Sequence, residues 1–136
     1  VRKEIAKDFQ VIEEDNFYAN PKAIGYRAYH LDISFENIMA EVQLRTTGMD
    51  IWSTWNHDLL YKDKEKVLAR VGKEKFEAFE DYSRKLSEYI YHYELGTPIP
   101  LPEPPAGISV LWELADDDAK KVMTPEGIPN LKLLVP

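Results

Sequence analysis

Cysteine is absent from this chain of 136 residues, which excludes disulfide bonds, thiolate catalysis and thiolate zinc sites. The chain also lacks an apolar run of about 18 residues, so we expect no membrane span. It carries no signal-peptide pattern, and His30, His57 and His92 do not fall at a metal-ligand spacing. The cytoplasm is therefore the expected compartment.

Positive charge is also in short supply. The chain has 17 Lys and Arg against 24 Asp and Glu, which gives a net charge of −7. This balance argues against a general nucleic-acid surface held by phosphate contacts. An acidic chain that binds a nucleotide needs a metal ion or locally placed cations. The apolar content of 44% and the aromatic content of 12% suit one globular domain with a buried core.

The residue pattern of the N-terminal half predicts a helix, then extended segments, then another helix. A short amphipathic helix over residues 1–9 leads into an extended segment, and a loop rich in turn residues follows. Alternating side chains predict a strand over Tyr26–Phe35 and a second strand over Ile38–Thr46, which pair as an antiparallel hairpin. Thr47 is the expected N-cap of the helix after them. These patterns give an α+β fold class.

The C-terminal half is mostly helical in pattern. Charged residues with an apolar stripe predict two helices over 63–95, separated at Gly72. In one interpretation they cover the sheet of their own subunit, and in the other they form homo-oligomer contacts. A proline-rich connector ends them. The tail predicts, in order, a strand over Ile108–Leu114, a helix over Asp116–Met123 and an apolar run over Leu131–Val135.

The second strand of the hairpin places three polar side chains on one face. With a period of two, Val42 and Leu44 point to the core, while the opposite face carries Glu41, Gln43 and Arg45. A carboxylate, an amide and a guanidinium side by side suit a cleft that handles a metal or a hydroxyl beside phosphates. The alternative interpretation is an exposed cross-strand ion pair.

The first strand and its approach bring three more candidates to that face. Tyr26 at the strand entrance is able to stack on a purine, and His30 follows it along the strand. Lys22 lies in the preceding loop, from which a flexible ammonium reaches a phosphate. The alternative for Tyr26 is half-buried sheet packing, and the alternative for Lys22 is an ordinary solvated lysine.

These segments resemble a known family. The run Asn20–His30, N-P-K-A-I-G-Y-R-A-Y-H, is similar to the RelA/SpoT motif N-P-K-x-N-G-Y-R-S-x-H. Glu41–Thr46, E-V-Q-L-R-T, resembles that family's E-[IV]-Q-[IL]-R-T strand, and Met49–Lys62 resembles its next helix, M-x-x-W-A…H…Y-K. The match is closest to the small, single-domain alarmone synthetases and covers about a third of the chain.

The resemblance implies a nucleotidyltransferase-like fold and the transfer of pyrophosphate from ATP to the 3′-hydroxyl of GDP or GTP. It implies that Tyr26 stacks on the acceptor guanine and that Lys22 meets its phosphates. Glu41 is the implied catalytic carboxylate, which holds Mg²⁺ or accepts the hydroxyl proton. The other implied substrate-binding residues are His30, Gln43, Arg45 and His57. Helix packing beside the tryptophans is the alternative for His57.

By the same resemblance, residues 1–62 form the acceptor-nucleotide half of a synthetase domain. Residues 63–95 then form a helical extension, and 96–136 form a connector and tail. The family's ATP-binding basic motif and its D-x-x-G-x-R strand have no counterpart in Val1–Asp15. Because the chain also begins with Val1, we expect the donor half to lie in a longer protein or on another chain. This chain alone is then expected to be inactive.

Several positions depart from the family pattern. Ile24 stands where the family has a polar residue, often asparagine, beside the guanine site, and it cannot make those hydrogen bonds. Asn56 replaces a glutamate before His57, Phe17 replaces a tyrosine, and Ala28 replaces a serine. With these departures, the resemblance does not determine which purine base the acceptor nucleotide carries.

Two alternatives therefore remain. One is a toxic member of the family, delivered to the cytoplasm of a target cell, that makes adenosine alarmones or modifies tRNA 3′ ends. The other is a degenerate nucleotide-binding or assembly module without turnover. The tail either docks on the core or binds a partner such as an inhibitor protein.

Overall fold

The computed structural model describes residues 1–134 and confirms an α+β fold. An antiparallel three-stranded sheet with the order β1-β2-β3 lies beside a group of helices. Within the described residues, no helix is long and apolar enough to cross a membrane. In chain order the elements are α1 (Arg2–Asp8), β1 (Gln10–Asn16), β2 (Tyr29–Phe35), β3 (Ile38–Leu44), α2 (Thr47–Asn56), a π-helical turn (His57–Lys62), α3 (Lys64–Val71), α4 (Lys73–Glu94), α5 (Val110–Leu114), α6 (Asp117–Lys120) and a 3₁₀ turn (Leu131–Leu134).

The predicted hairpin is confirmed, and β1 adds a third strand beside β2. Glu36 and Asn37 form the hairpin turn with positive φ values of 46° and 68°, which is the conformation of a tight two-residue turn. Leu31 and Ile33 are buried on one face of β2. Because side chains alternate along a strand, the opposite face is left for polar residues.

Both strands of the hairpin are shorter than predicted. β2 begins at Tyr29 instead of Tyr26, because the Tyr26 carbonyl accepts a hydrogen bond from the Lys22 N–H at 3.1 Å and so belongs to the preceding turn. β3 ends at Leu44 instead of Thr46. The prediction was wrong at these ends because local turn bonds, which periodicity does not report, replace the ladder there.

The helix after the hairpin has Thr46 as its N-cap, and the prediction of Thr47 was wrong. The Thr46 hydroxyl oxygen accepts a hydrogen bond from the Met49 N–H at 3.1 Å, which satisfies one free donor of the first turn. Two adjacent threonines are equally good caps in sequence, and the backbone selects the first. After Asn56 the helix continues into the π-helical turn, where the coil is locally wider.

Helices α2 and α4 make the main apolar contact. Trp52 and Trp55 of α2 are at most 1% exposed and belong to one hydrophobic cluster with Phe79 of α4. The Trp52 indole N–H donates to the Ser83 carbonyl at 2.8 Å. The break at Gly72 between α3 and α4 is confirmed. The helices over 63–95 therefore pack chiefly on α2 and the π-helical turn, whereas the first interpretation expected the sheet as their main partner.

The tail differs most from its prediction. Ile108–Leu114 contains helix α5 and no strand, because the Val110 and Leu111 N–H groups donate to carbonyls three residues earlier. A short apolar run fits a strand or a buried helix equally well. The predicted helix over Asp116–Met123 is limited to α6. Leu131 opens a 3₁₀ turn, and Val135 at the end of the predicted apolar run lies outside the described residues.

The tail docks on the same core as the helices. Ile108, Leu111 and Met123 are buried in the cluster that contains the α2 tryptophans. The Trp55 indole N–H donates to the Gly127 carbonyl at 3.1 Å. This packing crosses the boundaries expected at residues 62 and 95, so the apolar core joins all three segments.

At the N terminus, α1 is tied to the sheet by one carboxylate. Glu14 accepts hydrogen bonds from the Arg2 guanidinium at 3.0 and 3.1 Å and from the Tyr29 hydroxyl at 2.6 Å. The hydrogen bonds from Arg2, followed by that from Tyr29, lower the pKa of Glu14 to about 2. The Arg2 guanidinium is therefore bound to Glu14, on the face of the sheet that carries Leu31 and Ile33.

The docking of the tail leads to a prediction at Gly127. This residue has φ +85°, and a Cβ there would lie 2.1 Å from the Ile108 carbonyl oxygen. We expect Gly127→Ala to lower the free energy of unfolding, measured by urea denaturation, by about 1–3 kcal/mol more than Gly96→Ala. Gly96 is the matched control, with φ +73° and open space around the Cβ position. Equal losses in the two variants would contradict the close packing of the tail.

Candidate functional site

One cavity of about 770 Å³ lies between the polar face of the sheet and the helical wall formed by α2 and the π-helical turn. All the residues that the sequence predicted for the site line it. They are Lys22, Tyr26, His30, Glu41, Gln43, Arg45 and His57. The structure therefore brings the separate sequence motifs together around a single space.

The strand register decides which side chains enter this cavity. His30 on β2 lies directly opposite Gln43 on β3. Glu41, two residues before Gln43, shares its face, and Arg45 follows just beyond the strand. The side chain of His30 is 12% exposed and that of Glu41 is 49% exposed. The imidazole thus forms the floor of the site and the carboxylate stands at its open side.

A closed ring of polar contacts links Tyr26, His30, Glu41, Gln43 and Arg45. The Tyr26 hydroxyl lies 2.9 Å from His30 Nε2 and donates to Gln43 Oε1 at 3.2 Å. Gln43 Oε1 also accepts from Arg45 Nη2, and Gln43 Nε2 donates to Glu41 Oε1, both at 2.7 Å. His30 Nδ1 completes the ring 3.6 Å from Glu41 Oε2. The Tyr26 ring and the Glu41 carboxylate are therefore oriented by shared neighbours.

The single proton of the Tyr26 hydroxyl can be donated to only one of its two neighbours, Gln43 or His30, and this choice selects the tautomer of His30. If the hydroxyl donates to Gln43, His30 Nε2–H donates to the phenol oxygen. If the hydroxyl donates to His30 Nε2, a neutral His30 keeps its proton on Nδ1 and directs it toward Glu41. Only this second arrangement requires a proton on Nδ1, between the imidazole and the carboxylate.

Two cations lie near the Tyr26 ring. Lys22 Nζ is 5.5 Å from the centroid of that ring and 4.7 Å from the centroid of Phe17. Arg45 Cζ is 5.4 Å from the Tyr26 centroid. Cations at these distances are attracted to aromatic rings. An anionic ligand beside Tyr26 would therefore find both positive charges within reach of short side-chain movements.

The helical wall carries His57, which the sequence predicted, together with Asp58 and Tyr61, which it did not. His57 is 60% exposed and lies with its ring centroid 5.6 Å from that of Tyr61. Its alternative interpretation as packing beside the tryptophans is therefore wrong. Asp58 Oδ1 lies 3.1 Å from His57 Nδ1. The π-helical turn changes the phase of the helix, so a regular period could not place Asp58 and Tyr61 in the cavity.

Apolar and amide groups complete the wall. Ile24 is 53% exposed and offers no hydrogen bond. Asn56 Oδ1 accepts a hydrogen bond from Ser83 Oγ at 2.7 Å, which leaves the amide N–H groups of Asn56 free to act as donors. The lining residues that were not predicted as ligands are Asp15, Phe17, Ile24, Trp52, Ser53, Thr54, Asn56, Asp58 and Tyr61.

The charges of the cavity restrict the metal site it can form. Its carboxylates come from Asp15, Glu41 and Asp58, and its permanent cations come from Lys22 and Arg45. Across residues 1–134 no three His, Asp or Glu side chains are grouped to hold a metal. Mg²⁺ commonly takes one or two carboxylates together with substrate phosphates. Glu41 fits that use, whereas a metal cage made only of side chains does not fit here.

Comparison with known proteins gives one matching family profile and similar curated relatives. The profile described as "Region found in RelA / SpoT proteins" matches residues 3–66. The chain is similar to GTP pyrophosphokinase YjbM of Bacillus subtilis (strain 168), with 33% identity over 73 residues, which are 48% of this chain and 35% of that protein. It is also similar to GTP pyrophosphokinase YwaC of the same strain, with 32% identity over 82 residues, 54% of this chain and 39% of that protein. The chain thus spans well under half the length of these curated relatives.

Two solved structures of small alarmone synthetases have a fold similar to that of this chain. A crystal structure of small alarmone synthetase 1 from Bacillus subtilis, bound to its product pppGpp, matches with a TM-score of 0.54 and 28% identity. The match covers 70% of this chain and 50% of that one. Small alarmone synthetase 2 from Bacillus subtilis matches with a TM-score of 0.50 and 25% identity over 70% of this chain and 55% of that one.

The polar ring predicts the effect of removing one hydroxyl group. We expect Tyr26→Phe to lower the free energy of unfolding by about 0.5–1.5 kcal/mol, because Gln43 and His30 each lose a partner. The measurement is urea denaturation followed by circular dichroism. Tyr61→Phe is the control, since Tyr61 lines the same cavity but is 72% exposed. A loss in the control as large as in Tyr26→Phe would show that the ring contributes nothing specific.

Proposed function

From the match of residues 3–66 to the RelA/SpoT profile, we propose that this chain is the acceptor-nucleotide half of an ATP-dependent pyrophosphotransferase of that family. The observation that carries the proposal is the convergence of Glu41, Tyr26, Lys22 and Arg45 on one cavity. These residues supply a proton acceptor, a stacking surface and two cations. A purine nucleotide that reacts at a hydroxyl needs each of them.

In the proposed complex the purine of GDP or GTP stacks on Tyr26. The hydroxyl contacts of Tyr26 hold its ring in one orientation, so stacking requires little further ordering. Lys22 and Arg45 then move from the aromatic ring to the phosphates of the acceptor, where their charges are neutralised more fully. His57 and Tyr61 stand at the helical side of the same nucleotide.

The reaction joins the acceptor to two phosphoryl groups of ATP. The 3′-hydroxyl oxygen forms a bond to the β-phosphorus of ATP, the bond from that phosphorus to the α,β-bridging oxygen breaks, and AMP leaves. Glu41 accepts the hydroxyl proton, and His30 Nδ1 lies 3.6 Å from its carboxylate. The products are AMP and the acceptor 3′-diphosphate. The residues of this chain therefore position the nucleophile and remove its proton.

Mg²⁺ is the proposed cofactor of this site. Glu41 would supply the carboxylate ligand, and the phosphates of the nucleotides would supply the other oxygen ligands. When bound, the ion supplies positive charge that offsets the charge developing on the transferred phosphates. Glu41 Oε1 already accepts from Gln43 Nε2, so Gln43 helps to fix the direction of the carboxylate.

The ATP site requires positive charge that the described N-terminal residues do not direct to the cavity. Arg2 is bound to Glu14 on the other face of the sheet, and Lys7 is bound to Glu4 at 2.7 Å. ATP carries about four negative charges, so its binding needs several cations. We therefore assign ATP binding to protein outside this chain, either the remainder of the synthetase domain or a second chain.

An adenine nucleotide is the second candidate acceptor. Guanine presents two adjacent donor groups on its pairing edge, N1–H and N2–H. Ile24 has no acceptor for them, and Asn56 Oδ1 already uses one of its two lone pairs on Ser83 Oγ. Incubation of the intact protein with labelled ATP and each of GDP, GTP, AMP, ADP and tRNA identifies the acceptor. Absence of transfer to all of them would support a binding module without turnover.

The catalytic assignment predicts the effect of Glu41→Gln in the intact protein that includes the donor half. We expect kcat to fall by about 10²–10⁴-fold, because the proton acceptor is lost while the size of the side chain is kept. The acceptor KM should change little. Glu13→Gln is the matched control, since Glu13 is a carboxylate of β1, on the other side of β2, and does not line the cavity. Full transfer activity in Glu41→Gln would refute its catalytic role.

The stacking assignment predicts different effects for two variants of Tyr26. In Tyr26→Ala we expect the acceptor KM to rise about tenfold or more, because base stacking on an aromatic ring contributes about 1–3 kcal/mol. Tyr26→Phe keeps the ring and should change KM much less. Steady-state transfer kinetics measure both. An acceptor KM in Tyr26→Ala equal to that of the unaltered protein would rule out stacking on this residue.

A further inference from the structure

Arg27 is the one charged side chain among the buried polar residues of positions 1–134, and only 3% of it is exposed. It does not line the cavity and has no part in the polar ring. A charge is costly to bury unless it is partnered. The partners of Arg27 therefore show which parts of the molecule this residue holds together.

The guanidinium of Arg27 joins the chain before the cavity to helix α4. Nη1 donates to the Tyr18 carbonyl at 2.7 Å, and Nη2 donates to Glu88 Oε2 at 2.7 Å. Its central carbon, Arg27 Cζ, lies 4.1 Å from the centroid of the Tyr91 ring. Residues 18 and 27 are the two ends of one segment. The Arg27 side chain bonds the Tyr18 carbonyl at the far end of this segment and Glu88 on α4, so it closes the segment into a loop and holds the loop on the helix.

A second contact holds the same loop to the same helix. Ser87 Oγ donates to the Gly25 carbonyl. Gly25 has φ +95°, and a Cβ there would lie 3.3 Å from both Arg84 Cα and Ser87 Cβ. Together with Glu88 and Tyr91, residues 84 and 87 are spaced as one face of a helix. A single stripe of α4 thus supports the loop.

The loop over residues 18–27 carries Lys22, Ile24 and Tyr26, which line the cavity. We propose that Arg27 is a positioning residue of the nucleotide site, which fixes this loop on α4 and thereby sets the positions of Tyr26 and Lys22. The inference rests on the nucleotide binding proposed above. Arg27 acts through the backbone and through its neighbours, without contact to the ligand.

Arginine is suited to this position for a geometric reason. Its planar fork offers separate donors to a carbonyl and a carboxylate while its face stacks on an aromatic ring. Lysine carries the same charge but presents it as a single point. Arg27→Lys therefore keeps a cation opposite Glu88 and loses the simultaneous contacts with Tyr18 and Tyr91.

The test compares Arg27→Lys with Arg70→Lys in the full chain. Arg70 Nη2 lies 2.9 Å from Glu113 Oε2 and also joins two helices, but neither residue lines the cavity. One readout is amide hydrogen exchange at Lys22 and Gly25, whose N–H groups close the turns of the loop. The other is isothermal titration with GDP and with ADP in the presence of Mg²⁺.

In Arg27→Lys we expect the Lys22 and Gly25 amides to exchange about tenfold faster, while the amides of α2 and α4 keep their rates. We expect the nucleotide Kd to rise by about tenfold, equivalent to about 1.4 kcal/mol. Arg70→Lys should leave both readouts unchanged. Unaltered exchange in the loop, an unaltered Kd, or equal acceleration throughout α2 and α4 would each overturn the inference.

The two readouts also separate this inference from the proposed function. An unaltered chain that binds neither GDP nor ADP contradicts nucleotide binding by this chain, whereas the exchange rates still decide whether Arg27 fixes the loop. If Arg27→Lys does not fold, Glu88→Gln removes the opposite charge and keeps an acceptor oxygen. Glu113→Gln is then the control, and the same outcomes decide.

Discussion

The pairing of His30 with Gln43 is the constraint on which the site depends. A slip of one residue between β2 and β3 would turn Glu41 and Gln43 to the apolar face and remove the carboxylate from the cavity. The register is not chosen by the polar residues themselves. It is fixed by the burial of Leu31 and Ile33 on the opposite face and by the tight turn that starts at Glu36. The apolar side of the sheet therefore determines the chemistry of its polar side.

The arginines show how an acidic chain assigns its few cations. Arg2 and Arg27 each have a carboxylate within 3.0 Å and serve to hold α1 and a loop in place. Arg45 has its nearest carboxylate, Asp50, at 3.5 Å, and its side chain is 28% exposed. Its strongest contact is with a neutral amide, Gln43. The loosely paired arginine is thus the one in the cavity, where a phosphate is a stronger partner than those it has.

Sequence reasoning went furthest where alternation and motif agreed. It placed Glu41, Gln43 and His30 on one face correctly, because the period of a strand allows only two faces. It did not find Asp58 and Tyr61, because the π-helical turn breaks the regular helical period. It mistook α5 for a strand, since a short, mostly apolar segment such as Ile108–Leu114 is compatible with either a strand or a buried helix. The burial of Arg27 depends on residues about sixty positions later, such as Glu88, and no local pattern reports such a contact.

Trp52 belongs both to the hydrophobic core and to the wall of the cavity. It is 1% exposed and bonded through its indole to the Ser83 carbonyl, yet its ring also reaches the cavity wall. An indole in such a place has a rigid, nearly water-free environment that a bound purine would change on one side only. Its fluorescence is therefore an unlabelled optical reporter of the cavity. Trp55 is hydrogen-bonded to Gly127, Trp112 belongs to the tail, and neither lines the cavity. In a background with both Trp55→Phe and Trp112→Phe, the tryptophan emission would therefore come from Trp52 alone.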